Sequence, residues 1–282
     1  MIFTTSKTYN AGKLDFFEPD MTFNCGQCFR FEKAGDNAYE GVAFSKYVRI
    51  EKDKNGKILL YGADRDDYNS VWKHFLDTET DYALVSQSLA DGYDVMRDAV
   101  GVGYGIRILR QDPWETLCSF IISQNNNIPR IKKIIENISR AYGDKIYSPD
   151  GREFYTFPSA KRLFEAGEEE IFSFKTGFRA KYIYDAAKKV TLGEIDLEAI
   201  YNMTTADAAE YLKHIKGVGD KVASCVLLFA YHKTDCFPID VWVKKILAKY
   251  FDGSLPDFGE YAGIAQQYLF YYERYIVNGI KV

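Results

Sequence analysis

A lysine and an aspartate in the last third of the chain have the chemistry and the surroundings of a covalent catalytic site. Lys221 follows the turn Gly217-Val-Gly219, and Asp240 lies nineteen residues after the lysine, in the segment Pro238-Ile-Asp. Glycine has no Cβ and tolerates positive φ, so a turn of this kind lets backbone amides approach a phosphate closely. The spacing therefore predicts an amine and a carboxylate beside a phosphate-binding turn.

The segments around this turn are predicted to be helices. Apolar residues recur at helical spacing over three stretches, 205–213, 221–231 and 241–250. Asp220 is predicted to cap the middle helix, which then carries Lys221 in its first turn. Cys225 follows the lysine by four residues, so the two side chains leave the same face of that helix.

Asp240 is predicted to lie at the start of the third helix. Pro238 ends the preceding segment, and a position at a helix N-terminus would keep the Asp240 carboxylate ionised. Taken alone, the glycine turn is equally consistent with a plain connection between packed helices and a solvated Lys221. The aspartate at this spacing favours a functional site.

Five further blocks of sequence resemble, in the same order, those of the 8-oxoguanine DNA glycosylase family. That family is a lysine-bearing, bifunctional branch of the helix-hairpin-helix, Gly/Pro-rich DNA glycosylase superfamily. The resemblance runs through nearly the whole chain, and five ordered blocks are more specific than any single one. The blocks are Phe23–Arg30, Gln111–Leu117, Phe120–Ile131, Gly177–Ala180 and Ala265–Phe270.

The resemblance implies an enzyme that flips 8-oxoguanine out of duplex DNA and excises it opposite cytosine. Ring-opened formamidopyrimidine-guanine is a further expected substrate. In the family the lysine attacks C1′ and forms a Schiff base, and β-elimination then cuts the strand. The aspartate stabilises the developing sugar cation or assists proton transfer. By motif match these two roles belong to Lys221 and Asp240, and the lysine must be uncharged to attack.

Five residues match those that hold the damaged base in the family. The carbonyl of Gly26 is expected to accept the N7 proton that distinguishes 8-oxoguanine from guanine. Gln266 is expected to bond the Watson–Crick edge and Phe270 to stack on the purine, with Cys225 on its other face. Pro238 is assigned to the same pocket. Without the resemblance, Gly26 would be a turn glycine and the helix of Gln266 and Phe270 an ordinary amphipathic one.

A second set of residues matches those that serve the base opposite the lesion. Asn125 is expected to fill the space that the flipped base leaves, and Asn127 is assigned to DNA binding beside it. Arg130 and Arg179 are expected to read the orphaned cytosine, and Phe178 to act as an aromatic wedge. Without the resemblance, Arg130 would be a surface arginine and Phe178 a core aromatic.

The hairpin turn is expected to serve the DNA backbone. Amides after Gly217 and around Gly219 would meet a phosphate. The carbonyls of Lys213, Ile215 and Val218 align with those that hold a monovalent cation in the family. That cation is the one cofactor the sequence suggests, and the chemistry itself is expected to require none.

Iron–sulfur and zinc sites are not expected. Related branches of the superfamily carry a C-terminal four-cysteine iron–sulfur loop, whereas the last cysteine of this chain is Cys236. The five cysteines and three histidines show no tetrahedral ligand spacing.

Two positions depart from the family pattern. Trp242 stands where the familiar eukaryotic enzymes have a histidine that contacts phosphate, and Phe229 replaces a methionine of the pocket. A rearranged pocket is expected, so the ranking of substrates is left open.

Length and composition predict a globular protein of two or three packed units. The 282 residues are 47% hydrophobic and 27% charged. Turn signals between short aromatic and β-branched runs over 13–61 predict an antiparallel sheet, and most of the chain after residue 66 is predicted to be helical. The predicted class is α+β, with an N-terminal twisted antiparallel β-sheet domain over 1–105. It is packed on a mostly α-helical helix-hairpin-helix body over 106–282.

Net charge and hydropathy limit the kinds of binding partner that the chain can have. A net charge of −4 argues against a protein that coats nucleic acid through bulk charge, but seven lysines and three aspartates between residues 213 and 249 make this region formally +4. Duplex DNA containing 8-oxoguanine is the expected partner of a monomer. No membrane contact is expected, and Met1–Asn10 lacks a signal-peptide pattern. The expected compartment is the cytoplasm, with nucleoid association in a prokaryote, or the nucleus in a eukaryote.

Two other interpretations remain open. The chain could be a related glycosylase for a different lesion, such as an alkylated base, or a catalytically silent helix-hairpin-helix protein that only binds DNA. Alkylation-repair relatives lack the lysine, and a silent binder would not need both Lys221 and Asp240.

Overall fold

A computed structural model describes residues 7–279, which form a five-stranded antiparallel sheet joined to a larger helical body. This arrangement confirms the predicted α+β class. The first six residues, on which part of the N-terminal prediction rests, and the last three lie outside the described range.

The sheet has the strand order β1-β5-β4-β3-β2, and every neighbouring pair is antiparallel. Its strands are β1 (Thr8–Lys13), β2 (Phe31–Gly35), β3 (Ala38–Ala43), β4 (Lys46–Lys52) and β5 (Lys57–Tyr61). The sheet lies where it was predicted, except that its first strand begins before residue 13. A short helix, α1 (Pro19–Asn24), interrupts the predicted strand region because Pro19 presets a helical φ at its first turn.

One face of the sheet is covered by α1. Phe23 of this helix stacks on Phe31 and Tyr39, with ring centroids 4.7 and 5.1 Å apart. The alternate residues Val48 and Ile50 of β4 are fully buried in the same cluster, as the period of two in a half-buried strand predicts. The loop that follows α1, which contains Gly26, is therefore anchored on the sheet.

Most of the described chain after residue 64 is helical, as predicted, and the three helices predicted around the glycine turn are present. Three consecutive pieces form α2 (Arg65–Asp67, Tyr68–Trp72, Lys73–Phe75), and α8 (Glu168–Ile171) and α13 (Ala262–Tyr271) continue as wider turns over Phe172–Thr176 and Tyr272–Val277. The other helices are α3 (Tyr82–Ala90), α4 (Asp94–Gly103), α5 (Pro113–Ser123), α6 (Ile128–Tyr142), α7 (Ala160–Ala166), α9 (Ala180–Thr191), α10 (Thr205–Lys213), α11 (Asp220–Tyr231) and α12 (Val241–Tyr250). Short 3₁₀ turns cover Gly177–Arg179, Ala199–Asn202 and Gly259–Tyr261.

Two large buried clusters and one small cluster fill the interior. Of the large ones, the first lies on the sheet and α2, and the second unites α3 and α4 with the helices after residue 113. The small cluster joins Val243 and Leu247 of α12 to Phe270 of α13. By packing, α3 and α4 thus belong to the helical body although they precede residue 105. The domain division at 105/106 stays a prediction.

A two-stranded hairpin, β6 (Lys145–Tyr147) and β7 (Glu153–Tyr155), interrupts the part of the chain that was predicted to be mostly helical. Three-residue strands carry too little alternation to be recognised from sequence. Within residues 7–279, no helix combines the length and the apolar character needed to cross a membrane.

Candidate active site and nucleic-acid interface

The turn between α10 and α11 accepts only glycine at Gly217. Its φ is 81°, and a Cβ there would lie 2.3 Å from the ring of Tyr182 on α9. Gly219, which has open space around it, is the N-cap of α11. The predicted cap at Asp220 is wrong, because Asp220 is already helical. Its carboxylate is 89% exposed and pairs with Lys213 at 2.9 Å.

The three carbonyls assigned to a monovalent cation fit that ligand. Among the described residues, those of Lys213 and Val218 accept no hydrogen bond. The carbonyl of Ile215 accepts the Val218 N–H at 3.0 Å and keeps a second lone pair. Across residues 7–279, no group of three or more His, Cys, Asp and Glu side chains is arranged to hold a metal ion.

Lys221 lies in the first turn of α11 and is held from α5. Its Nζ donates to the Ser123 hydroxyl at 3.2 Å, and it lies 5.1 Å from the centroid of the Phe120 ring. Phe120 in turn stacks on Phe229, with centroids 5.4 Å apart. The departure from the family pattern at Phe229 thus supports the ring beneath the lysine. Sequence reasoning missed Ser123 and Phe120, although both lie in a block that it singled out.

Asp240 is the N-cap of α12, as predicted. One carboxylate oxygen, Oδ1, accepts the backbone N–H groups of Trp242 at 2.9 Å and Val243 at 2.8 Å. The other oxygen, Oδ2, accepts no hydrogen bond from any described residue. Pro238, just before the cap, is buried. One oxygen of Asp240 therefore orders the helix, and the other is left for a ligand.

Cys225 lies close to both charged residues. The thiol is buried one turn after Lys221 on α11. Burial raises the pKa of the Cys225 thiol, the charge of Lys221 opposes that shift, and the charge of Asp240 adds to it. Lys221 and Asp240 therefore both lie within electrostatic range of the Cys225 thiol.

The loop after α1 leaves the Gly26 carbonyl free. The carbonyl of Cys25 accepts the Gln267 amide of α13 at 2.6 Å, and that of Gln27 accepts the Gln111 amide at 2.8 Å. The Gly26 carbonyl between them accepts no hydrogen bond within the described part of the chain. Gly26 has a φ of 84°, which favours glycine at this position.

The predicted base-binding residues of α13 meet this loop. Gln266 and Phe270 are buried, and the Phe270 ring would lie 3.7 Å from a Cβ on Gly26. The Gln266 amide makes no hydrogen bond to a described residue, whereas its neighbour Gln267 anchors the Gly26 loop. Gln267 was missed because its role depends on a partner more than 200 residues away.

The two arginines assigned to the opposite base differ in their surroundings. Arg130 is exposed at the start of α6 and donates one hydrogen bond, at 3.2 Å, to the carbonyl of Lys175. Arg179 is 3% exposed, and its guanidinium donates to the carbonyls of Gln124, Asn125 and Thr176. In this conformation most donors of Arg179 support the loop at Asn125 rather than facing outward.

The remaining residues of this set form one connected surface. Phe178 is 49% exposed, with the Arg179 guanidinium 4.5 Å from its ring centroid. Its ring meets Tyr182 edge-on, which links it to the turn at Gly217. Asn125 is exposed with a φ of 46°. Asn127 is the N-cap of α6, so its side-chain oxygen already accepts the Arg130 N–H.

Two family models match the chain in tandem. Residues 10–117 match the 8-oxoguanine DNA glycosylase, N-terminal domain, and residues 118–254 match the HhH-GPD superfamily base excision DNA repair protein.

Named proteins are similar over most of the chain. The N-glycosylase/DNA lyase OGG1 of Arabidopsis thaliana is 30% identical over 279 residues, which cover 89% of this chain and 75% of that protein. The probable N-glycosylase/DNA lyase of Methanothermobacter thermautotrophicus is 34% identical over 201 residues, which are 60% of this chain and 64% of that protein. The structure of Clostridium acetobutylicum 8-oxoguanine glycosylase/lyase in complex with dsDNA containing cytosine opposite to 8-oxoG is also similar. Its TM-score is 0.89 at 37% identity, over 99% of this chain and 100% of that one.

Proposed function

We propose, on the premise that this chain belongs to the 8-oxoguanine DNA glycosylase family, that it excises 8-oxoguanine opposite cytosine and cuts the strand through a lysine Schiff base. Membership confirms the resemblance found in the sequence, and it makes the chain a DNA N-glycosylase with lyase activity of the 8-oxoguanine type. Duplex DNA is therefore its partner.

The observation that carries the proposed chemistry is that Lys221 and Asp240 both lie within electrostatic range of the buried Cys225 thiol. The lysine and the aspartate come from the N-termini of two different helices, α11 and α12. Ser123 holds the amine, and Asp240 keeps one oxygen unpaired. A nucleophile and an anion close to a developing cation are what displacement at the sugar C1′ needs.

The proposed bond changes begin at the sugar of the damaged nucleotide. The neutral Lys221 amine attacks C1′ of the extruded nucleotide, and the C1′–N9 bond breaks with its electron pair leaving on the base. The free oxygen of Asp240 faces the positive charge that develops on the sugar. The attacking nitrogen gives up one proton to the departing base. Its lone pair then forms a C=N bond to C1′ as the C1′–O4′ bond opens, and O4′ takes up a proton, which leaves a protonated imine between Lys221 and C1′. Loss of a C2′ proton to solvent supplies the electron pair for a C2′=C3′ bond, and the C3′–O bond breaks with its electrons leaving on the phosphate, which cuts the strand.

The damaged base is proposed to enter between the Gly26 loop and α13. The unpaired Gly26 carbonyl suits an N7–H donor, which guanine lacks. The Gln266 amide has no described protein partner and suits the Watson–Crick edge, while Phe270 provides an aromatic face. The same contacts suit formamidopyrimidine-guanine.

Preference for cytosine is proposed to depend chiefly on Arg130. Its guanidinium is exposed and makes one hydrogen bond, so donors remain for the O2 and N3 acceptors of an unpaired cytosine. The Clostridium enzyme was solved on DNA with cytosine opposite 8-oxoG, which supports this pairing. At the turn, the carbonyls of Lys213, Ile215 and Val218 would hold a monovalent cation whose charge strengthens phosphate binding.

Borohydride trapping tests the proposed function. The protein is incubated with duplexes that differ only in one base opposite cytosine: 8-oxoguanine, formamidopyrimidine-guanine, 3-methyladenine or guanine. We expect covalent complexes and strand cleavage with the first two alone. Release of 3-methyladenine without trapping would favour an alkylated-base glycosylase, and binding with neither base release nor trapping would favour a silent DNA-binding protein.

A further inference from the structure

Three side chains beside Phe270 form a cationic aromatic cluster that takes no part in the proposed chemistry. Trp242, Lys245 and Arg274 make up this Trp242 cluster. The Lys245 Nζ lies 4.8 Å and the Arg274 guanidinium carbon 5.9 Å from the centroid of the Trp242 ring. The same guanidinium carbon lies 5.5 Å from the centroid of Phe270. The cluster therefore joins the first turns of α12 to the end of α13.

Neither cation of the cluster has an anionic partner. Among residues 7–279, Lys245 and Arg274 make no ion pair, and the Arg274 Nε–H is shielded from solvent without an acceptor. Lys249, one turn after Lys245 on the same helix, shows the contrast because it pairs with Glu273 at 3.1 Å. Aromatic faces attract a cation but do not neutralise it. Two uncompensated cations at one ring indicate a place for an anion.

Arg274 also faces open space. A cavity of 880 Å³ between the sheet, α6 and the β6–β7 hairpin is lined by Arg274 together with Asn24 and Phe29. Seven basic side chains line this cavity, and five have a carboxylate partner. Only Lys133 and Arg274 lack one among the described residues, and of the two only Arg274 contacts Phe270.

The position of Arg274 relative to Gln266 and Phe270 indicates which anion would bind. Gln266, Phe270 and Arg274 follow one another at intervals of four residues, so they form one stripe. The first two are buried, and Arg274 is half-buried at the outer end. If the base is held by Gln266 and Phe270, as the proposed function requires, the outer end of the stripe faces its sugar and phosphates.

We propose that the Trp242 cluster binds one backbone phosphate of the damaged strand, next to the extruded nucleotide. Arg274 supplies a fork of donors that matches phosphate oxygens, and Lys245 supplies a second charge. The rings of Trp242 and Phe270 hold the guanidinium in place before DNA arrives, so binding costs less side-chain entropy. This inference rests on the proposed function and adds Arg274 and Lys245 to its DNA-binding residues.

The test measures DNA affinity as a function of salt for Arg274→Met, which keeps the length and the apolar stem but removes the charge. We expect the slope of log Kd against log salt to fall by about 0.9, the value for one lost phosphate contact. Arg97→Met is the matched control, because Arg97 is exposed and pairs only with Asp94 of its own helix at 3.2 Å. Its slope should equal that of the wild type.

A methylphosphonate scan then locates the phosphate. Neutralising the phosphates around the lesion one at a time should weaken wild-type binding at one flanking position, and Arg274→Met should be insensitive at that position alone. Should Arg274→Met fail to fold, Lys245→Met at an exposed site carries the same test. An unchanged salt slope together with an unchanged scan would overturn the inference. Borohydride trapping by the wild type, run in parallel, reports separately whether the proposed function itself holds.

Discussion

Charged side chains have different surroundings in the proposed catalytic region, around Lys221 and Asp240, and in the proposed opposite-base region, around Arg130 and Arg179. In the catalytic region, Lys221 donates to one hydroxyl, and one Asp240 oxygen has no described partner. In the opposite-base region, Arg130 is similarly free, but Arg179 gives hydrogen bonds to three backbone carbonyls. The sequence motifs propose all four residues, whereas packing decides which of their atoms make no contact within the protein.

The difference has an energetic reason. A hydrogen bond to a charged group contributes about 1.5–3 kcal/mol, and Arg179 donates such bonds to the loop at Asn125 before any DNA is present. Asp240 also orders backbone, because a cap contributes about 1 kcal/mol. The Asp240 carboxylate caps the helix with one oxygen and leaves the other oxygen available to a ligand, whereas the whole Arg179 side chain is buried. Substitutions in the two regions are therefore expected to differ in how much they change the excision rate and how much they change the free energy of unfolding.

Lys221→Gln should have the largest effect on activity and little effect on binding. Without an amine no imine forms, so base release, strand cleavage and borohydride trapping should all be lost. Affinity for lesion DNA should stay within about tenfold, since phosphate contacts supply most of it. The exposed Lys188→Gln on α9 is the control. Undiminished trapping by Lys221→Gln would place the nucleophile elsewhere.

Asp240→Asn separates charge from capping. Asparagine is as good an N-cap as aspartate, so thermal stability should be retained. The single-turnover rate of base release should fall at least about a hundredfold, because the electrostatic stabilisation of the sugar cation is lost. Asp240→Ala should lose a further ~1 kcal/mol of unfolding free energy with the cap. A near-normal rate for the asparagine variant would leave Asp240 a structural cap.

Arg130→Ala and Arg179→Ala sharpen the contrast within the opposite-base region. The wild type should excise 8-oxoguanine opposite cytosine at least about tenfold faster than opposite adenine, a gap that one good bidentate contact can supply. Arg130→Ala should narrow that gap and change the unfolding free energy by no more than about 0.5 kcal/mol. Arg179→Ala should cost about 1–3 kcal/mol of stability and slow excision opposite every base.

Urea unfolding and single-turnover rates on four duplexes, one for each opposing base, measure both effects. If Arg179→Ala is as stable as the wild type and only narrows the cytosine preference, the Arg179 guanidinium must contact DNA in the complex. The proposed difference between Arg130 and Arg179 would then be wrong.

Gly26→Ala should have the smallest effect. The positive φ of Gly26 predicts a stability cost of about 1–2 kcal/mol for alanine. Its Cβ would meet Phe270 at an ordinary 3.7 Å, so the pocket should persist. Preference for 8-oxoguanine over other lesions should fall about fivefold, as a misplaced acceptor that weakens one hydrogen bond by roughly 1 kcal/mol would produce.

Gly56→Ala is the matched control for backbone strain. Gly56 has a φ of 77° in a turn of the sheet, with no atom within 4 Å of its Cβ position. The same loss of stability without a change in lesion preference is expected there. Equal preference in the Gly26→Ala and Gly56→Ala variants would remove Gly26 from the base-reading residues.

Local sequence was sufficient for the parts of the site that depend on neighbouring residues. The predicted helices around the turn, the cap at Asp240 and the glycine at Gly217 all follow from chain conformation over a few residues. Where two local signals competed, the prediction was wrong. Asp220 is a good cap by type, but Gly219 directly before it has the extended backbone of the N-cap and leaves Asp220 to pair with Lys213.

The sequence by itself therefore determined which residues are proposed to carry the chemistry, because type, spacing and local conformation are properties of the chain. Only the tertiary structure decided which atoms of those residues are free. The Gly26 carbonyl is left unpaired because Gln111 and Gln267 bond its neighbours, and Lys221 is held by Ser123 from 98 residues away. Each buried donor or acceptor needs a partner, and for such groups that partner comes from whichever distant segment packs against it.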